Sequence, residues 1–207
     1  AYTSWITRSP YACLVAPGLG FGPLMVVGTH IAGAGRYDTA AGVAALVPFF
    51  LVSALLLLNQ FPDVEADREA GRRHLPIAWG RPRAARVFVA LYALAYLSLV
   101  AGVPAGALPW PCLLGLVTLT LAVPAARDVL RHPDDVKALL PAMGRNVMVN
   151  LATPAFVAVA WAYVALRALH SLIHVTYNRV THRFLAYVAS TLLLFGMWVA
   201  FFTRITA

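Results

Sequence analysis

The residues of this chain best suited to chemistry are gathered in one stretch, Asn59-Gln60-Phe61-Pro62-Asp63-Val64-Glu65-Ala66-Asp67-Arg68-Glu69-Ala70-Gly71-Arg72-Arg73-His74-Leu75-Pro76. It holds Asp63, Glu65, Asp67 and Glu69, four of the eight acids in the chain, together with Arg68, Arg72 and Arg73. Asp63 and Asp67 are four apart, which places both carboxylates on one face of a helix. Asn59 is another four back, so an unbroken helix aligns three oxygen donors. Pro62 opposes that continuity, because the residue before a proline is pushed out of helical geometry; a helix beginning at Pro62 still keeps the two aspartates together. Mg2+ binds through one or two carboxylates and fills its remaining positions with water and phosphate oxygens. A guanidinium matches a phosphate in bidentate fashion. The stretch is therefore suited to a divalent ion shared with a diphosphate, Asp63 and Asp67 on the metal and Asn59, Arg68, Arg72 and Arg73 on the phosphates. The plainer alternative is a solvated helix end with local ion pairs, Glu65 with Arg68 or Glu69 with Arg73.

What must position these residues is a set of membrane helices. The chain has 207 residues, of which 61% are hydrophobic and 12% charged, with a mean hydropathy of +0.75; a soluble domain carries about 25% charged residues. The apolar residues collect into runs of membrane-spanning length. We read an all-α polytopic membrane helix bundle of about six spans: 11–33, 40–58, 84–101, 110–126, 138–169 and 184–202. The second delivers the chain directly into the acidic stretch, and an ionisable group at such a depth is paired, hydrated or bound to a ligand. The formal charge of +8 reflects topology rather than nucleic acid, since the basic residues fall mostly between the apolar runs. If residues 1–10 are cytoplasmic, the inside connections hold twelve of the 16 Lys and Arg residues and the outside ones hold four, Arg36, Arg167, Arg179 and Arg183, as the positive-inside rule requires. The acidic stretch is then on the cytoplasmic side, most naturally of a bacterial inner membrane. Cys13 and Cys112 both lie in apolar runs and read as small buried hydrophobes. Gly18-Leu19-Gly20-Phe21-Gly22 lacks the context of a phosphate loop and reads as a site of close helix packing.

The acidic stretch, from Asn59 through Asp67 and on to Gly71-Arg72-Arg73-His74-Leu75-Pro76, closely resembles the second aspartate-rich motif of the UbiA-type intramembrane prenyltransferases. Among these it is most similar to the dihydroxynaphthoate polyprenyltransferases of menaquinone synthesis. Phe21-Gly22-Pro23-Leu24, Gly28-Thr29 and Leu140-Pro141-Ala142-Met143-Gly144-Arg145-Asn146 fit the same pattern, so the likeness covers about residues 1–168. The resemblance implies the C-terminal two-thirds of the UbiA fold, a bundle open laterally to lipid. It also implies Mg2+-assisted ionisation of a polyprenyl diphosphate and transfer of the prenyl group to an aromatic quinone precursor. By position, Asp63 and Asp67 become the catalytic metal-diphosphate ligands, with Asn59 beside them and Arg68, Arg72 and Arg73 as diphosphate contacts. The family pairs this motif with an earlier one. Only 58 residues precede Asn59 and their sole acid is Asp38, so the N-terminal helices and first motif are expected to be missing, whether from a fragment or from a shortened paralogue.

Residues 169–207 form an additional polar segment and a last span. His170, His174 and His182 lie there; the first two are four apart and, with no third ligand at a suitable spacing, read as interfacial rather than metal-binding. An added helix is what a subunit docked to other membrane proteins carries. The alternative function is thus a non-catalytic accessory or scaffold subunit of a larger respiratory, photosynthetic or oxygenase complex.

Overall fold

A computed structural model describes residues 6–176 and 180–205. The first span starts at Ser9, whose hydroxyl accepts a hydrogen bond from the Ala12 amide at 3.3 Å, and Pro10 occupies the first helical turn, where its missing N–H costs nothing. It comprises α1 (Pro10–Leu19), a π-helical stretch (Gly20–Val27) and α2 (Gly28–Ala34). Pro17 and Pro23 each remove an amide from the i→i−4 ladder, and the wider π turn accommodates the gap. Gly35, at φ 68°, ends α2 in the left-handed conformation. Asp38 then caps α3 (Thr39–Asn59), its Oδ1 accepting from the Ala40 amide at 2.9 Å.

The acidic stretch leaves α3 through a turn into two short helices, α4 (Val64–Glu69) and α5 (Leu75–Trp79). α6 (Arg81–Gly102) returns through the bundle. A tight hairpin leads to a 3-10 helix (Trp110–Thr118) that continues into α7 (Leu119–Arg131). α8 (Val136–Thr176) and α9 (Val180–Ile205) complete the chain, with no strand among the described residues. Pro10–Ala34, Thr39–Asn59, Arg81–Gly102 and Trp110–Arg131 are each long and apolar enough to cross a bilayer, and they coincide with the first four expected spans. The fifth differs. α8 passes through His170, which the sequence reading places in a connecting segment, because no glycine or proline lies between Pro154 and Thr176 to stop it.

α3 packs most extensively on α6, and α8 on α7, α9 and the 3-10 helix. Leu51, Leu58, Phe61, Phe88, Leu99, Leu139 and Val149 are wholly buried between them. Burial among helices in lipid gains little from water exclusion, so close packing and interhelical hydrogen bonds hold the bundle. Gly18 and Gly22 supply the first: an added Cβ would stand 2.3 Å from Ser53 Oγ at Gly18 and 2.5 Å from the Ala45 carbonyl at Gly22. The expected close-packing role of this glycine run is what the fold uses. Hydrogen bonds supply the second. Tyr92 donates to Asn146 Oδ1 at 2.7 Å, and Thr118 Oγ1 joins Tyr96 and Thr153 at 2.8 Å each. Cys13 and Cys112 are both buried, and Cys13 Sγ accepts from Gln60 Nε2 at 3.2 Å.

Candidate functional site

The acidic stretch closes the end of the bundle where α3 finishes. α3 stops at Asn59, and the turn at 60–63 breaks the ladder of oxygen donors that an unbroken helix allows. Phe61 is wholly buried and its carbonyl accepts from Arg81 Nε at 3.1 Å, so the turn is pinned from both ends. Asn59 is half-buried beside it. Asp63 then stands at the head of α4, and its carbonyl accepts from the Asp67 amide at 2.8 Å. The two aspartates thus stay one helical turn apart, as their spacing requires.

Their environments differ. Asp63 is exposed, whereas Asp67 is 9% exposed. Asp67 Oδ1 accepts from Arg72 at 2.6 Å and Oδ2 from His74 Nε2 at 2.9 Å. The backbone explains how Arg72 reaches it. Gly71 adopts φ 73°, its amide donates to the Arg68 carbonyl at 3.1 Å, and the Arg72 amide donates to the Asp67 carbonyl at 2.9 Å. This is a Schellman ending, in which a left-handed residue folds the chain back over the last turn. The turn that terminates α4 therefore delivers the Arg72 guanidinium to the carboxylate one turn earlier. Arg73 is exposed, and its amide donates to the Thr7 carbonyl at 2.8 Å, tying the segment before α1 to this loop.

His74 is 2% exposed. Burial holds its pKa below the usual histidine value, against the pull of the neighbouring Asp67 carboxylate. A carboxylate can only accept, so Nε2 carries the proton and Nδ1 is the bare nitrogen, buried without a partner among the described residues. Protonation would bury an unpaired N–H there, which agrees with the downward shift. Sequence reasoning did not assign His74 a role; seven residues from Asp67, it would stand two turns and about 10 Å away in an unbroken helix, out of reach until the Gly71 turn is known.

Of the arginines, only Arg72 is brought to the aspartate pair. Arg68 turns outward to Glu65 at 2.7 Å, both well exposed, which is one of the local ion pairs of the plainer reading. Such a pair contributes little, roughly 0.3–0.5 kcal/mol, and leaves Arg68 able to exchange partners. Glu69 and Arg73 form no ion pair among the described residues. For a metal, the donor set is two carboxylates on one side, one anchored and one exposed. No group of three or more His, Cys, Asp or Glu side chains among the described residues could cage an ion. That fits Mg2+ held jointly with a phosphate-bearing ligand and does not fit a self-sufficient structural metal.

The tail carries less. His170 lies 6.0 Å, ring to ring, from Tyr187 across the α8–α9 contact, and His182 is exposed on α9. The His174 side chain lies outside the described residues.

Comparison with known proteins bears on both parts. The sequence model of the UbiA prenyltransferase family matches residues 1–147, and that of the MAPEG family matches residues 138–203. The chain is 30% identical over 143 residues to 1,4-dihydroxy-2-naphthoate octaprenyltransferase of Mycobacterium tuberculosis, a match covering 69% of this chain and 48% of that protein. The chain thus spans about half the length of the curated relative. No solved structure matches it. With its acidic turn, its helical architecture and a family match over most of its length, this integral membrane chain belongs to the UbiA prenyltransferase family.

Proposed function

We propose that the chain transfers a polyprenyl group from a polyprenyl diphosphate to an aromatic quinone precursor within the membrane, with Asp63 and Asp67 as the carboxylates that hold Mg2+. The observation that carries this reading is the state of Asp67: it is buried at the end of the bundle, and its two oxygens are oriented by Arg72 and His74. A carboxylate fixed in this way points its remaining lone pairs in one direction, as outer partners do for metal ligands. Bound Mg2+ would neutralise charge on the departing diphosphate. Asp63, exposed at the helix start, completes the pair from the solvent side. Arg72, 41% exposed at its side chain, contacts Asp67 and a phosphate with different nitrogens of one guanidinium, while Arg68, Arg73 and Asn59 lie within the same turn-rich segment as diphosphate contacts. The apolar bundle shelters the allylic cation and the prenyl chain from water.

The test is transfer of a labelled prenyl group from its diphosphate to 1,4-dihydroxy-2-naphthoate in membranes containing the chain, with and without Mg2+. Asp63→Ala and Asp67→Ala are each expected to abolish transfer. Unchanged transfer in both variants removes the acidic turn from the chemistry.

A second reading has its own support. The separate family match over residues 138–203 favours an accessory or scaffold subunit that docks to other membrane proteins through α8 and α9. Absence of transfer, with co-purification of a membrane partner that is lost when α9 is deleted, supports that reading.

A further inference from the structure

At the opposite end of the bundle, the first span and α3 part company. Gly18 and Gly22 hold them at closest approach near Ser53 and Ala45, but α2 beyond has no buried residue. The helices enclose a wedge-shaped cavity of about 480 Å³, into which α8 presents Pro154 and Val157 and α3 presents Ala41, Ala44 and Pro48. Its volume lies within the roughly 300–1,000 Å³ of small-molecule sites. The walls are alkyl, with two exceptions, His30 from α2 and Asp38 from the connection to α3.

The polar atoms share one character. Asp38 is fixed by its capping bond to Ala40 at 2.9 Å, leaving other lone pairs of the carboxylate free. Pro48 has no amide, so the Ala44 carbonyl four residues earlier has no i+4 donor. His30 Nε2 is buried with no hydrogen-bond partner among the described residues, and an imidazole nitrogen accepts whenever its ring partner carries the proton. A buried polar atom without a partner calls for an occupant that supplies one. Asp38 and His30, whose Nε2 accepts when Nδ1 carries the proton and meets the cavity when the ring turns toward it, are acceptors beside an alkyl cavity and call for a donor on an apolar body. The carboxylate disfavours an anion, so a diphosphate is not that occupant. At 1.5 Å per residue along α3, the Asp38 end of this wedge lies some 30 Å from the acidic turn and its Pro48 end about 17 Å.

We propose that this wedge is a second binding site, which takes an apolar molecule bearing a hydroxyl group, either a ring phenol or a chain alcohol. The hydroxyl meets His30 and Asp38, and the body lies against Ala41, Ala44, Pro48 and Pro154. The assignment is independent of prenyl transfer and needs neither Mg2+ nor a diphosphate.

The experiment measures saturable binding, above partition into empty lipid nanodiscs, of 2-naphthol and farnesol and of their hydrocarbon counterparts 2-methylnaphthalene and farnesene to the purified full chain in nanodiscs. At least one alcohol is expected to bind more tightly than its hydrocarbon, and the naphthol and farnesol arms tell ring from chain. His30→Phe keeps the ring shape and removes the nitrogens; it is expected to weaken alcohol binding about tenfold, the equivalent of one hydrogen bond, and to leave the hydrocarbon unchanged. Ala44→Leu fills the cavity and is expected to abolish both, and Ala41→Leu repeats the block one turn away should that variant fail to fold. Asp67→Ala is expected to leave binding intact. Equal binding of alcohol and hydrocarbon with no effect of His30→Phe would make the wedge a lipid-filled space and overturn the proposal, as would alcohol binding that survives the filled cavity or that no wild-type measurement detects.

Discussion

Asp63 and Asp67 look equivalent in the sequence and are not equivalent in the fold. Their four-residue spacing correctly places them one helical turn apart, yet only Asp67 is buried and held on both oxygens. The difference arises from Gly71, since a left-handed residue after α4 reverses the chain, whereas in an unbroken helix Arg72 would face away from Asp67 and His74 would stand about 10 Å along the axis. It gives the two partners separable consequences. His74→Phe keeps the buried volume and removes the bond to Oδ2, freeing the carboxylate to rotate. Loss of such an outer partner typically costs 10- to 100-fold in metal affinity or activity. The proposed prenyl transfer is therefore expected to need about tenfold or more extra Mg2+ in His74→Phe, and saturating Mg2+ is expected to restore much of the rate. A loss of rate with an unchanged Mg2+ requirement would confine His74 to packing.

The helices were legible as elements, and their departures from α-geometry were not. The apolar runs locate α3, α6 and the first span within a few residues, because membrane length and composition dominate. The π-helical Gly20–Val27 depends on how neighbours take up the backbone groups that Pro17 and Pro23 free, which is tertiary information, and the 3-10 Trp110–Thr118 carries its proline in the first turn, where it frees no helical carbonyl and marks no departure from α-geometry. Contacts between elements follow the same division. Gly22 is a small residue in a small-residue run, but that its absent Cβ leaves room for the Ala45 carbonyl at 2.5 Å requires the partner helix. Gly22→Val is expected to destabilise the chain by roughly 1–3 kcal/mol, as overpacking against an unyielding backbone does, and to lower its melting temperature in detergent. Asn146→Leu is expected to do less. It removes the acceptor of the Tyr92 hydroxyl, and hydrogen bonds between membrane helices average about 0.6 kcal/mol. A larger loss at Asn146 than at Gly22, measured by the same thermal melt, would mean that polar bonds rather than close packing hold this bundle.

At the scale of the whole chain, α8 has 41 residues and at 1.5 Å per residue extends about 60 Å, twice the hydrocarbon thickness. Both family matches include residues 138–147, so the first turns of this helix belong to the UbiA-like bundle and its continuation to the α8–α9 hairpin. Leu172, Leu185, Leu192 and Phe195 are exposed along that hairpin, and such a face requires lipid or protein to cover it. Orientation is better determined before α8 than after it. Of the four basic residues on the outside connections, three, Arg167, Arg179 and Arg183, come after the start of α8, leaving Arg36 alone to oppose the nine on the other side that precede it. On the positive-inside rule the acidic turn is then expected in the cytoplasm and the α6–α7 hairpin outside. Native cysteines do not interfere with a test, since Cys13 and Cys112 are both buried. Ala70, beside the acidic turn, and Ala105, in the opposite hairpin, are exposed. In intact cells a membrane-impermeant maleimide is expected to label Ala105→Cys, and to label Ala70→Cys only after the membrane is opened. The reverse pattern would place Asp63 and Asp67 on the outer face and overturn the cytoplasmic placement of the acidic turn.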